Sequence, residues 1–189
     1  MRFQVPDRAD PADVATVVEA VGTAEPRCGG VRIVAIDGLS GAGKTTLAAA
    51  VGAALGAPVL HMDSIYPGWD GLAESVGLLT TQVLQPLARG EKAAYRIWDW
   101  HRDGWNGTAE VPVCELLVIE GCGSSVGPSG EYAAVRVWVE APVEVRRERG
   151  LARDGAAYRP NWERWAAQEA ELFGRDGTRA KADLIVTTG

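Results

Sequence analysis

Lysine is scarce in this 189-residue chain, being confined to Lys44, Lys92 and Lys181, and the formal net charge is -6. Binding to nucleic acid depends on neutralising phosphates along a basic face. The charge balance therefore excludes a surface built mainly for nucleic acid, and any anion site has to be local. Cysteine is also sparse. Cys28, Cys114 and Cys122 are odd in number and lack the paired spacing of a zinc site or a disulfide framework, so reduced thiols of a cytoplasmic protein are expected. Long apolar runs are missing too: no stretch approaches 18 consecutive apolar residues, and Met1 to Asp10 carries charges and a proline where a leader would be apolar. These absences predict a soluble protein with no membrane partner. Internal repeats and low-complexity tracts are absent, and nothing in the sequence fixes an oligomeric state.

The composition, 47% hydrophobic, suits one core of ordinary size. Residues 10 to 21 read as a helix, with Asp10 to cap, Pro11 in the first turn and Val14, Val17, Val18 and Val21 on one face. Residues 1–27 are thus taken as an N-terminal helical extension and residues 28–189 as the main domain. Short β-rich runs recur at Val31 to Asp37, Pro58 to Met62, Glu115 to Glu120 and Ala134 to Glu140, with a weaker fifth at Asp183 to Thr187. Their near-continuous apolarity marks strands covered on both faces. Helical stretches alternate with them: Lys44 to Leu55, Leu72 to Arg89, Pro142 to Ala152 and Asn161 to Phe173. That alternation predicts an α/β, three-layer fold with a parallel sheet between helices. Tyr95 to Val113 breaks it and reads as a hairpin or long loop beside the sheet.

Directly after the first strand stands Gly38-Leu39-Ser40-Gly41-Ala42-Gly43-Lys44-Thr45, followed by Thr46, a complete G-x-x-x-x-G-K-[ST] phosphate loop opening a helix. This chain's own residue frequencies give the pattern by chance in only about 0.4% of such sequences. Glycines let backbone N–H groups turn inward around phosphate oxygens, and the helix N-terminus adds partial positive charge at the same point. Lys44 can reach the β and γ phosphates of ATP, and the Thr45 hydroxyl can serve Mg²⁺.

A phosphate loop does not by itself separate kinases from switches or motors. Two acids at strand ends narrow the choice. Asp63 follows the second strand and Glu120 ends the strand Leu116 to Ile119, so both are expected at the carboxyl edge of the sheet. Transfer to a hydroxyl needs a carboxylate that takes the acceptor's proton, a role that suits Asp63. Glu120 suits a Walker-B position near the metal. The alternative for either is a strand-end acid that caps the next helix. Arg146, Arg149 and Arg153, at i, i+3 and i+7, form a basic stripe able to gather phosphate oxygens, or a solvated face paired with Glu144 and Glu148.

Taken together, Ile36-Asp37-Gly38 with its loop, Asp63-Ser64-Ile65-Tyr66, Ile119-Glu120-Gly121, and Arg146, Arg149, Arg153 and Asp154 resemble the uridine kinase-like family of P-loop kinases. The match runs from Val31 to about Asp154. The resemblance implies a P-loop NTPase fold, Mg·ATP as phosphoryl donor, Asp63 as base, and arginines of a lid closing over the phosphates. Gly150 stands where that family has a further arginine.

On the acceptor side, Tyr66, Trp69, Trp98, Trp100, Trp105 and His101 concentrate rings in two segments, either a stacking site for a flat acceptor or a satellite core. Trp98-Asp99-Trp100 is similar to the Y-D-F segment that meets the nucleoside in uridine kinases, which implies Tyr66, Trp98, Asp99 and His101 around the acceptor. The expectations converge on a phosphotransferase with catalytic Lys44, Asp63, Arg149 and Arg153. ATP would be held by Gly38, Ser40, Gly41, Ala42, Gly43, Lys44, Thr45, Thr46 and Arg146, and Mg²⁺ by Thr45, Glu120 and Asp63. A pyrimidine nucleoside is the favoured acceptor, with a sugar acid, a vitamin precursor or an aminoglycoside-like alcohol as alternatives. An acceptor-free nucleotide switch or ATPase is the rival class; no N-K-x-D guanine reader occurs in the chain.

Overall fold

The computed structural model describes residues 8–189, apart from the side chains of 153, 154 and 156–158. Five parallel strands form the central sheet in the order β2-β5-β1-β6-β7, with β1 at Arg32–Gly38, β2 at Val59–His61, β5 at Leu116–Glu120, β6 at Ala133–Glu140 and β7 at Leu184–Thr187. Within β1, Ile33 to Ile36 are all at most 1% exposed, because both faces of the strand are covered. Ile33 turns to one side with Leu117, Ile119 and Trp138. Val34 and Ile36 turn to the other with Val118, Val135 and Val137. This period-two division of an apolar run builds two cores from one strand.

The first core is closed by α1 (Pro11–Thr23) and α2 (Lys44–Leu55), through Val17 and Val21 from one helix and Leu47, Ala48 and Val51 from the other. Asp10 caps α1 by accepting the Ala12 N–H at 2.8 Å. The extension read at residues 1–27 thus lays its helix into the same core as α2; residues 1–7 lie outside the described residues. The second core is closed by α3 (Leu72–Leu79) and α7 (Trp162–Asp176), with the short α5 (Gly127–Glu131) set against α3. Each large aliphatic residue buried in either core contributes about 1.5–3 kcal/mol.

The stretch expected as one helix from Leu72 to Arg89 is divided. After α3 a π-helical turn covers Thr80–Leu84, and α4 (Gln85–Ala88) follows. Pro86 stands at the head of α4 and has no N–H to continue the ladder, which accounts for the widened turn before it. β3 (Ala94–Asp99) and β4 (Gly104–Glu110) pair antiparallel as a separate hairpin. The helix α6 (Val143–Tyr158) bends at Gly155, whose φ is 59°.

From β1 the chain passes to β2 on one side and later to β6 and β7 on the other, so the sheet reverses direction at β1. Side chains at the carboxyl ends of β1, β2 and β5 therefore share one crevice. Among the described residues no helix is long and apolar enough to cross a membrane.

Candidate active site

The loop between β1 and α2 is held tightly from behind. Gly38 has φ 138°, and a Cβ there would lie 2.1 Å from the Val139 carbonyl oxygen; Gly41 has φ 78°, and a Cβ would lie 2.2 Å from that of Arg146. Side chains are excluded by backbone on one side, and the loop stays thin enough to wrap an anion. Lys44 is 7% exposed. Its ammonium donates to the carbonyls of Gly38 (2.8 Å) and Leu39 (2.9 Å) and lies 3.4 Å from Cys122 Sγ. Burial works against that charge, but the negative groups around it, the carboxylates of Glu169, Glu120 and Asp37 among them, outweigh it and hold Lys44 above the ordinary lysine value. Burial pushes the Cys122 thiol itself upward, so it remains a donor.

A cavity of about 740 Å³ opens from this loop, lined by Ser40, Gly41, Gly43, Lys44, Thr45 and Thr46 on one side. Gly38 and Ala42 do not line it: the Gly38 carbonyl takes Lys44, and Ala42 is wholly buried with its carbonyl bound by the Thr188 hydroxyl at 2.6 Å. These two can act on a ligand only through the loop they shape.

Glu120, 3% exposed, stands at the end of β5 beside His61 at the end of β2. Its Oε1 is 2.6 Å from His61 Nδ1, and both of its oxygens are 3.3 Å from Thr45 Oγ1. The hydrogen bond to Glu120 raises the imidazole above the usual histidine range, against the effect of its partial burial. Asp63 lines the same cavity from a 3-10 turn at Met62–Ser64, one step beyond the strand expected to carry it. Behind the loop, Asp37 is fully buried and accepts from Gly38 N, Gly123 N, Ser125 N and Ser125 Oγ at 2.7 to 2.9 Å. One carboxylate thus fixes the turn after β1 to the turn after β5.

The wall facing the phosphate loop is aromatic: Tyr66, Trp69, Trp100 and Trp165, with His101. Trp69 meets Trp100 at 5.1 Å and 62°, and Trp165 meets Tyr66 at 4.9 Å and 74°. Trp100 is oriented by donating Nε1–H to the Asp63 carbonyl at 2.8 Å. Burial raises the Tyr66 hydroxyl well above the ordinary tyrosine value, and it donates to the Cys122 carbonyl at 2.9 Å; its ring, not an ionised oxygen, is what the cavity meets.

Two expected acceptor residues are not brought to this wall. Asp99 is occupied in closing the hairpin turn, accepting from His101 N (2.9 Å), Arg102 N (3.1 Å) and Asn106 Nδ2 (3.0 Å). Trp98 packs edge-on against Trp105 at 5.1 Å. β3 ends at Asp99, so strand alternation does not carry through to Trp100. The wall takes Trp100 where Trp98 was expected.

The arginine stripe divides in the same way. Arg149 lines the cavity and donates to Thr188 Oγ1 at 2.8 Å. Arg146, expected on the nucleotide, points behind the loop: it is 8% exposed, donates to the carbonyls of Ser40 and Ala141 at 3.2 Å, and lies over the Trp162 ring. The Arg153 side chain lies outside the described residues.

Glu169, Cys122 and Trp165 were not singled out from the sequence, yet all stand at the loop. Glu169 falls on the buried stripe Trp162, Trp165, Glu169 and Phe173 of α7. An acid in register with that apolar stripe was the signal available.

No family model matches the chain, and no curated protein matches its sequence. Among the solved structures that resemble it are the following two. A possible uridine kinase from Bacillus stearothermophilus has a TM-score of 0.67 at 18% identity, over 93% of this chain and 97% of that one. A candidate fructose transport system kinase from Silicibacter sp. has a TM-score of 0.55 at 22% identity, over 91% and 98%. The likeness establishes the fold: a three-layer α/β P-loop fold with a parallel sheet between helices.

Proposed function

We propose that the protein is an ATP-dependent phosphotransferase that moves the γ-phosphoryl group of Mg·ATP onto a hydroxyl of a small molecule. The observation that carries this reading is that one cavity of about 740 Å³ has a phosphate loop on one side, an aromatic wall on the other and Asp63 on its lining. That volume suits a small-ligand site. A switch or motor needs the loop and the metal acid, whereas a wall of tryptophans facing the loop suits a second substrate.

In this reading Lys44 exchanges its carbonyl partners for phosphate oxygens, and the loop's N–H groups hold the triphosphate. Thr45 and Glu120 present a hydroxyl and a carboxylate to the same point, hard oxygen donors of the kind Mg²⁺ takes. When bound, Mg²⁺ neutralises charge on the phosphates. No group of three or more metal-ligating side chains occurs among the described residues, which fits an ion whose remaining ligands are phosphate and water. Asp63 orients the acceptor hydroxyl and takes its proton, and Arg149 adds positive charge beside the loop.

The acceptor is a neutral alcohol bearing a flat ring, with a pyrimidine nucleoside as first choice, resting on Trp69, Trp100 and Trp165. The cations among the described lining residues, Lys44 and Arg149, both stand at the phosphate end, which disfavours an acidic acceptor. A coupled ADP-release screen over nucleosides, sugar acids, vitamin-like alcohols and amino alcohols tests this. Release that depends on uridine or cytidine supports the reading in full. Release with a sugar acid alone overturns the acceptor class, and slow release indifferent to every acceptor overturns the transferase.

A further inference from the structure

Glu169 is 1% exposed on a helix face otherwise made of Trp162, Trp165 and Phe173. A charge buried among such residues is costly unless it is well paired, and an apolar side chain would complete the stripe at no such cost. What the carboxylate does have is two N–H donors on one oxygen, Ser40 N–H at 2.6 Å and Trp165 Nε1–H at 3.1 Å, with Cys122 Sγ at 3.2 Å sharing its one proton between that oxygen and the Gly38 carbonyl at 3.3 Å. Each donor belongs to a different part of the cavity. Ser40 is in the phosphate loop. The sulfur of Cys122 lies 3.4 Å from Lys44 Nζ. Trp165 is in the aromatic wall, edge-on to Tyr66 at 4.9 Å and to Trp69 at 6.1 Å.

We propose that Glu169 is a positioning residue that ties the phosphate loop to the acceptor wall, so that nucleotide on one side and acceptor on the other are felt through a single carboxylate oxygen. The inference rests on the Mg·ATP reading above. Phosphate oxygens that draw Lys44 away from Cys122, or turn the Ser40 amide, change the donors at that oxygen, and the Trp165 indole bonded to it responds. Coupling of this kind is reciprocal: a change in the wall at Trp165 must alter the affinity of the loop for nucleotide, although Trp165 is not itself part of the loop.

Calorimetric titration of Mg·ATP into the full chain tests this with four variants and the wild type. Trp165→Phe removes one donor from Glu169 and keeps an aromatic ring; it should weaken Mg·ATP by about threefold to tenfold, the range expected for one lost hydrogen bond. Glu169→Gln keeps an accepting oxygen and should stay within about threefold of wild type, while Glu169→Ala should lose about tenfold or more. Phe173→Leu disturbs the same buried face without a bond to Glu169, and should lower Tm while leaving the Mg·ATP affinity unchanged. Wild-type affinity in Trp165→Phe, or equal weakening in Phe173→Leu, overturns the coupling. If Glu169→Ala does not fold, the comparison of Trp165→Phe with Phe173→Leu still decides. Failure of the wild type to bind Mg·ATP takes down the functional reading and the coupling with it, and is distinguished by appearing before any substitution.

Discussion

Lys44 directs its ammonium at two carbonyls of its own loop and at the Cys122 sulfur, three acceptors that a phosphate can replace with stronger charge-assisted bonds. Lys44→Ala should therefore remove transfer, with a loss of about 10²-fold or more in kcat/KM, and should also lower Tm, because the buried carboxylates of Asp37, Glu120 and Glu169 lose the cation they surround. Steady-state kinetics beside thermal unfolding separates the two. Asp63→Asn keeps shape and removes the base, so kcat should fall by about 10² to 10⁴ with Mg·ATP affinity retained; an unchanged kcat would shift the proton to another group. Arg146→Ala should lower Tm through the lost ties to Ser40 and Ala141 and weaken ATP only by way of the loop that Ser40 belongs to, far less than Lys44→Ala does. At this scale Lys44 and Thr45 were legible because the phosphate loop is a local pattern with a local cause. Glu169 was not, since its partner Ser40 is 129 positions away and no spacing rule links them.

Elements show the same division between local and distant causes. The start of α2 followed from the phosphate loop before it, and the five parallel strands followed from apolar runs that need cover on both faces; the structure ends α2 at a left-handed Gly56. The break between α3 and α4 was not read, although Pro86 supplied the reason, and the short glycine-bearing α5 has too little periodicity to be seen. The hairpin departed from expectation in one respect: Asp99, expected around the acceptor, closes the turn after β3 with its carboxylate. Asp99→Ala should therefore speed amide exchange in β3 and β4 and leave the acceptor KM at its wild-type value. At the C-terminal end of α7, burial raises Asp176, but Lys181, Thr178 and the Gly127 amide more than offset it, and its carboxyl sits below the ordinary value. A depressed carboxylate contributes stability that is present above its unfolded value, about 3.9, and is lost as pH falls through the lower folded one. The difference in urea midpoint between wild type and Asp176→Asn should be full at neutral pH and shrink as pH drops below about 4. A difference independent of pH would contradict this.

The whole molecule places chemistry at the point where its sheet reverses. β1, flanked by β5 and β6, delivers the phosphate loop; β5 delivers Glu120, and the turn after β2 delivers Asp63. The helices α6 and α7 then bring Arg149 and Trp165 to the same cavity from the far end of the chain. In the proposed reading a polyanion is held here by Lys44, Arg149 and the backbone N–H groups of the loop, with Asp37 and Glu169 kept behind the loop by the donors they accept from. In the proposed function this cavity passes a phosphoryl group from ATP to an alcohol. Incubation with γ-labelled ATP, Mg²⁺ and a pool of small alcohols, followed by separation of products, measures this directly. Label should appear in an acid-stable phosphomonoester, faster than in inorganic phosphate, and should vanish from it in Asp63→Asn. Label found only in inorganic phosphate, at a rate no alcohol alters, would contradict the account.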